Sequence, residues 1–297
     1  MGTASVLRAN SRTLPLADNT VDLVVTSPPY FALRSYQDGG VHYAGQVGDE
    51  PTPAEFVESL LEVTRECVRV LKPSGSLWVN LGDKYAGGGM GGHGAGLVGT
   101  RPQGEGNSYR RAKVDVPTKS LIGIPWRYAL RCIDDLGLIL RAEVIWSKPN
   151  GLPESVTDRV RRSHEQWFHF TLEPRYFSAV DEIREQYDAA PKPRGQAPNG
   201  ANPATGGIPT LHDRSPLGKL PGSVWTVPTE PLKVPDHLGI DYFAAFPTEW
   251  PKRIIAGWSP AGVAPSSREF APSPSSASPG ATPSAALTTS ASSSAPR

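Results

Sequence analysis

Val21-Asp22-Leu23-Val24-Val25-Thr26-Ser27-Pro28-Pro29-Tyr30 is the stretch on which the fold turns. Its first five residues form a short, mainly β-branched apolar run, the pattern of a buried strand. A polar residue, two prolines and an aromatic then follow at the strand's end. Proline fixes φ and donates no N–H, so this backbone offers carbonyl acceptors held in place. Open α/β sheets bind their ligands at the carboxyl edge, where such a rim would lie. An acceptor-lined rim beside an aromatic face suits a planar group bearing an exocyclic amine. A Pro-Pro turn that merely ends a strand is the plainer reading of the motif taken alone.

Outward from this stretch the elements alternate. Ala17 to Thr20 reads as a turn into the first strand. Thr52-Pro53-Ala54-Glu55 opens a helix: Thr52 caps it, Pro53 takes the first helical position and Glu55 completes a capping box. Phe56, Leu60, Val63, Cys67 and Val70 recur at helical spacing and give one buried stripe. Lys72-Pro73-Ser74-Gly75 is expected to end that helix, with Ser76 to Leu81 as the next strand. Pro125 to Leu136 reads as a second helix stopped by Gly137, and Leu138 to Trp146 as a third strand. Gln166 to Thr171 and Arg175 to Ser178 read as a strand pair around Glu173-Pro174. Order resumes at Ser223 to Val227, and Thr248 to Ala256 reads as a short helix with Pro251 in its first turn. The alternation predicts an α/β fold: a Rossmann-like, mainly parallel sheet with flanking helices.

The chain divides into a core at 1–187, a Pro/Gly/Ala-rich loop insertion at 188–222, a return segment at 223–262 and a tail at 263–297. The tail is so rich in Ala, Ser and Pro that it is expected to be disordered. The insertion is the natural place for target recognition, since long loops carry function.

Hydrophobic residues make up 38% and charged residues 20% of the 297, a balance that excludes a membrane-embedded or wholly disordered chain. No apolar run approaches the roughly 20 residues that span a bilayer. Met1 to Val6 lacks the apolar region of a signal peptide, so the expected location is the cytoplasm. The net charge of +1 gives no global basic signal, and any nucleic-acid contact must be local. Two clusters qualify: Arg110, Arg111 and Lys113, and Arg159, Arg161 and Arg162; a solvated face is the alternative for each. The two cysteines, Cys67 and Cys132, make no disulfide framework, and neither follows a proline. His42 and His93 lack a spacing partner, so no metal site is expected.

Ser27-Pro28-Pro29-Tyr30 resembles the (Asp/Asn/Ser)-Pro-Pro-(Tyr/Phe) motif of the DNA amino-methyltransferases, the cytosine-N4/adenine-N6 family. The resemblance continues through Val70 to Asp83, through Val144-Ile145-Trp146-Ser147-Lys148-Pro149-Asn150, and through Arg161 to Phe170. It extends to Ser223 to Pro228 and Phe246 to Pro251, and covers most of residues 5–262. The order is that of the permuted group whose catalytic half precedes its cofactor half. The resemblance implies a methyl transfer from S-adenosylmethionine to the amine of a base flipped out of double-stranded DNA. It implies catalytic roles for Ser27, Pro28, Pro29 and Tyr30, with Tyr30 as the stacking platform. It places Asn10, Phe246 and Pro247 at the cofactor. Ser at the first motif position points to cytosine N4, with adenine N6 as the alternative.

Three features fall outside the pattern. Gly87 to Gly92 satisfies G-x-G-x-x-G, but no helix follows; it reads as a mobile loop over the active-site edge rather than a phosphate cradle. His164 and Glu165 invite a general-base reading, but the preferred one is structural, a polar pair opening a strand with Glu165 bonded to backbone or to an arginine. The family's Asp-Pro-Phe-x-Gly-Ser-Gly-type cofactor loop is not found after Ser259, where composition breaks abruptly. A truncated or frameshifted product fits that break, an inactive DNA-binding remnant is its extreme form, and a second chain supplying the loop is the alternative.

Overall fold

A computed structural model describes residues 5–33, 37–38, 41–42, 45–87, 114–151, 153–187, 215–230, 246–260 and 287–289. The elements in chain order are β1 (Val21–Thr26), β2 (Gln37–Asp38), β3 (Val41–His42), α1 (Pro53–Val70), β4 (Leu71–Leu81), α2 (Ile124–Asp134), β5 (Ile139–Ser147), β6 (His164–Thr171), β7 (Val224–Thr226), α3 (Glu249–Trp258) and β8 (Leu287–Thr289). Six strands form one sheet in the order β7-β5-β6-β4-β1-β8. Strands β1 and β4 run parallel, as do β5 and β7, whereas β6 runs antiparallel to both of its neighbours. The α/β architecture is the expected one, with a mixed sheet.

The first helix forms as its local signals dictate. Thr52 Oγ1 accepts from the Glu55 N–H at 3.2 Å, and the Glu55 carboxylate accepts from the Thr52 N–H at 3.0 Å. Its stripe of Phe56, Val57, Leu60, Leu61, Cys67 and Val70 is buried against one face of the sheet. Each such side chain contributes roughly 1.5–3 kcal/mol by leaving water. Helix α2 joins the same layer, where Thr64 and the Tyr128 hydroxyl lie 2.7 Å apart. Gly137, at φ +65°, ends α2, and the Gly137 and Leu138 N–H groups return to Ile133 and Cys132. Burial pushes both Cys67 and Cys132 thiols up to about 12, so they are inert packing groups.

The opposite face of the sheet carries an aromatic layer. Trp78, Trp146, Trp167 and Trp225 rise from it and meet Trp250, Ile254 and Trp258 of α3. Trp225 and Trp250 stack at 5.1 Å, and Trp78 stacks on His169 at 4.5 Å.

Three segments differ from expectation. Lys72 to Gly75 do not merely end the helix: they belong to β4, where the Lys72 ammonium bonds Asp22 of β1 at 2.9 Å. The pairing of β1 with β4 is irregular between Val21 and Leu23, and this takes up the extra residues. Arg175 to Ser178 form no strand; the Phe177 N–H bonds the Ser74 carbonyl instead. Leu287–Thr289, inside the segment expected to be disordered, pair in parallel with Val24–Thr26 at the sheet's edge. Gly88 to Gly92, Arg110, Arg111 and Lys113, and 188–214 of the insertion lie outside the described residues. Among the described residues, no helix is long and apolar enough to cross a membrane.

Candidate active site

Four neighbouring strands bring their ends to one edge. Ser27 follows β1, Asn80 is the penultimate residue of β4, Glu165 is the second residue of β6, and Lys148 follows β5. Because β6 is antiparallel, its first residues lie at the same edge as the last residues of β1, β4 and β5. The motif therefore sits at the carboxyl edge that the sequence indicated.

Asn80 is the hub. Its Nδ2 donates to the Gln166 carbonyl at 3.1 Å, which fixes the amide so that Oδ1 faces the motif. Oδ1 accepts from Ser27 Oγ at 3.2 Å and lies 2.9 Å from the Tyr30 hydroxyl. The Tyr30 hydroxyl also reaches Glu165 Oε2, and Glu165 Oε1 pairs with the Lys148 ammonium. The Lys148 ammonium lies 4.2 Å from the centroid of the Trp146 ring. Glu165 thus bonds a tyrosine and a lysine, neither the backbone nor an arginine as expected. Asn80, Glu165 and Lys148 are the site residues that sequence reasoning missed as a set; only the quoted family-like segments containing them hinted at it.

The motif's shape is set from beneath and behind. A Cβ at Gly82 would lie 2.6 Å from Tyr30 Cε2, so the ring rests directly on the backbone after β4. Gly48, at φ +101°, packs under Pro29 and the Tyr30 carbonyl, and its own carbonyl accepts from the Ala32 N–H at 2.8 Å. The Lys84 ammonium donates to the Ala32 carbonyl at 3.2 Å, and burial pulls its proton affinity below the usual lysine range. His164 is also held below the ordinary histidine value, first by burial and then by Arg162.

The other expected residues are placed as follows. Arg159 pairs with Glu154 at 2.7 Å and lies 3.8 Å over the Tyr85 ring. Arg161 donates to the Gly151 carbonyl at 2.9 Å. Arg162 donates to Gln166 at 3.1 Å and lies 3.7 Å from Asp83. Asn10 accepts from the Arg12 N–H within a local turn on the side of the sheet where Leu14 packs under α1. Phe246 packs edge-on to Trp167 at 5.9 Å, in the layer under α3. Pro247 helps to line a cleft of about 510 Å³ with Thr226, Thr229, Glu230, Glu249 and Arg253. The structure brings Phe246 and Pro247 together and sets Asn10 on the other face.

A family profile described as DNA methylase, of the N6/N4 type, matches residues 21–262. Type II methyltransferase M.SmaI of Serratia marcescens is 34% identical over 248 residues, which cover 81% of this chain and 70% of that protein. Type II methyltransferase M.XycI of Xanthomonas campestris pv. cyanopsidis is 41% identical over 179 residues, 58% of this chain and 55% of the relative. The chain therefore spans about half the length of the second of these relatives. Among solved structures, the PvuII DNA methyltransferase (cytosine-N4-specific) aligns with a TM-score of 0.50 at 18% identity, covering 82% of this chain and 66% of that one. At that identity the likeness concerns the fold.

Proposed function

This chain belongs to the N6/N4 DNA methylase family, and from that premise we propose that it methylates the exocyclic amine of a flipped base in double-stranded DNA. Cytosine N4 is the target that Ser27 favours; adenine N6 is the alternative. One observation carries the reading: the Ser27 hydroxyl proton points to Asn80 Oδ1. A hydroxyl has one proton. With that proton committed, the Ser27 lone pairs can only accept, and what they accept is an amine hydrogen.

The chemistry needs that acceptor. The lone pair of an aromatic amine is delocalised into its ring, which makes the nitrogen a poor nucleophile. Acceptors on its hydrogens, here Ser27 Oγ and the Pro28 carbonyl, favour a pyramidal nitrogen with its lone pair available. Tyr30 offers a ring on which the base stacks, worth roughly 1–3 kcal/mol against a flipping cost of a few. Pro29 keeps the two acceptors and the ring in one rigid turn. The chain's contribution is positioning and electrostatics.

S-adenosylmethionine, when bound, supplies a methyl group on a positively charged sulfur. The cleft around Pro247 offers it polar groups that are already held in place: Glu230, which accepts from Thr248, and the Glu249–Arg253 pair. We assign Phe246 and Pro247 to its apolar wall; Asn10, on the opposite face of the sheet, is left out of it. The arginines at 110, 111, 159 and 161 and Lys113 are proposed to meet DNA phosphates, and residues 188–222 to select the site; Arg162, mostly buried beside Asp83 and Gln166, is assigned to the fold. The reading places the protein with DNA in the cytoplasm.

Nucleoside mass spectrometry of unmodified genomic DNA exposed to the protein and S-adenosylmethionine tests it. N4-methylcytosine supports the proposal, and N6-methyladenine moves the target base within the family. No methylated base from a folded protein that gives no heat with the cofactor in calorimetry identifies an inactive remnant.

A further inference from the structure

The Tyr30 hydroxyl has one proton and two acceptors in reach, Asn80 Oδ1 at 2.9 Å and Glu165 Oε2. Asn80 Oδ1 is also the acceptor for Ser27. That amide oxygen has two lone pairs and can accept from both hydroxyls, but Tyr30 has only one proton to give. A carboxylate is the stronger acceptor, so the proton goes to Glu165. Asn80 Oδ1 is then left to Ser27, and Ser27 is left facing the amine with lone pairs only.

Lys148 makes this arrangement stable. Its ammonium holds the other Glu165 oxygen, and the two side chains are only 19% and 13% exposed. Ser147, the residue before Lys148, pairs across the sheet with His164, and Trp146 pairs with Glu165. Glu165 therefore stands on β6 and Lys148 directly after its partner strand β5, where the Lys148 N–H donates to the Ser163 carbonyl at 2.9 Å, and Gly82 blocks the ring from retreating. Removing one member would leave the other charge uncompensated in a largely buried place.

We propose that Glu165, braced by Lys148, is a positioning residue: by accepting the hydrogen bond of the Tyr30 hydroxyl it fixes the plane of the Tyr30 ring beside Ser27. This rests on the reading of Ser27 as amine acceptor and Tyr30 as base platform. Glu165 touches neither the base nor the cofactor; it acts through Tyr30.

The test is a double-mutant cycle on the full chain, with methyl transfer to unmodified genomic DNA as the kinetic readout. Glu165→Gln and Tyr30→Phe should each lower kcat by about tenfold or more, with KM for DNA within about twofold of the wild type. The double variant should be no slower than the slower single variant, because both break the same link. Multiplying losses, or a Glu165→Gln enzyme with wild-type kcat, overturns the proposal. A second measurement needs no activity. With fluorotyrosine incorporated, the Tyr30 line, identified by its loss in Tyr30→Phe, should shift in fluorine NMR on Glu165→Gln, while the line of buried Tyr128 stays in place. An unmoved Tyr30 line overturns the positioning role. A moved line in a protein that methylates no DNA leaves the positioning intact and sinks the functional reading.

Discussion

Asp83 caps a helix whose N-cap residue, Gly123, lies 40 residues away from it: both of its carboxylate oxygens lie 3.0 Å from the Gly123 nitrogen, and one lies 3.2 Å from that of Ile124. Helix α2 has no cap of its own, since its N-cap residue is Gly123. The first N–H groups of a helix have no partner within it, and a carboxylate satisfies them with help from the helix dipole. The same turn, Gly82-Asp83-Lys84, supports Tyr30 with its first residue and the Ala32 carbonyl with its last. One turn after β4 thus anchors a helix and braces the motif.

Asp83→Ala should therefore be destabilising by about 2 kcal/mol: it loses the cap and leaves Arg162, 3.7 Å away, without its carboxylate. Urea unfolding of the two proteins measures the loss. A midpoint equal to that of the wild type would refute the capping role.

Gly82→Ala should do the reverse, harming activity more than stability. A Cβ there would meet Tyr30 Cε2 at 2.6 Å, and the ring must turn. A misplaced platform lowers kcat by about tenfold or more. Methylation rates and a thermal melt, measured side by side, separate this from unfolding; a normal rate removes Gly82 from the account.

His169 predicts the acid limb of stability. Burial, with Arg141 adding a smaller repulsion, pulls its proton affinity down to about 3, against an ordinary 6.5. The neutral ring stacks on Trp78 and bonds Ser76 at 3.0 Å. The unfolded chain takes up this proton between those two values and the folded chain does not. The contribution is present above about pH 6.5 and is lost as pH falls towards 3. By about pH 5 the loss amounts to about 2 kcal/mol. The difference in unfolding free energy between wild type and His169→Gln, followed from neutral to acid pH, isolates it. A pH-independent difference would show that the folded protein binds the His169 proton as readily as the unfolded chain does.

The arginines should separate by role. Arg161 is an exposed residue that donates to the Gly151 carbonyl, whereas Arg162 is mostly buried between Asp83 and Gln166. Arg161→Ala should weaken DNA binding and reduce the salt slope by about 1. Arg162→Ala should lower stability while leaving the salt slope unchanged. Binding isotherms at several salt concentrations decide it; an unchanged slope for Arg161→Ala removes that residue from the DNA contacts.

Local signals in the sequence proved legible. Thr52 and Glu55 lie three residues apart, and Gly137 terminates a helix by its own backbone, so both could be read without knowing the fold. The motif's place at the sheet edge followed from the strand before it. Long-range pairings were not legible. Tyr30 and Glu165 are 135 residues apart, and only the antiparallel run of β6 brings them to one edge. Residues 72–75 look like a helix stop because Pro and Gly are there; the strand continues through them because Asp22 offers Lys72 a partner. Arg175 to Ser178 carry strand-like residues but have no strand beside them to pair with.

The aromatic layer under α3 has an optical consequence. Of the seven tryptophans, six lie in that layer, and Trp126 sits on α2 across the sheet. Ultraviolet emission from this protein is therefore a nearly one-sided signal. It originates from the face that bears α3 and Phe246, while α1 and its packing stay almost dark. Loosening α3 will quench or red-shift the light with no engineered label, and melting α1 alone will pass unseen.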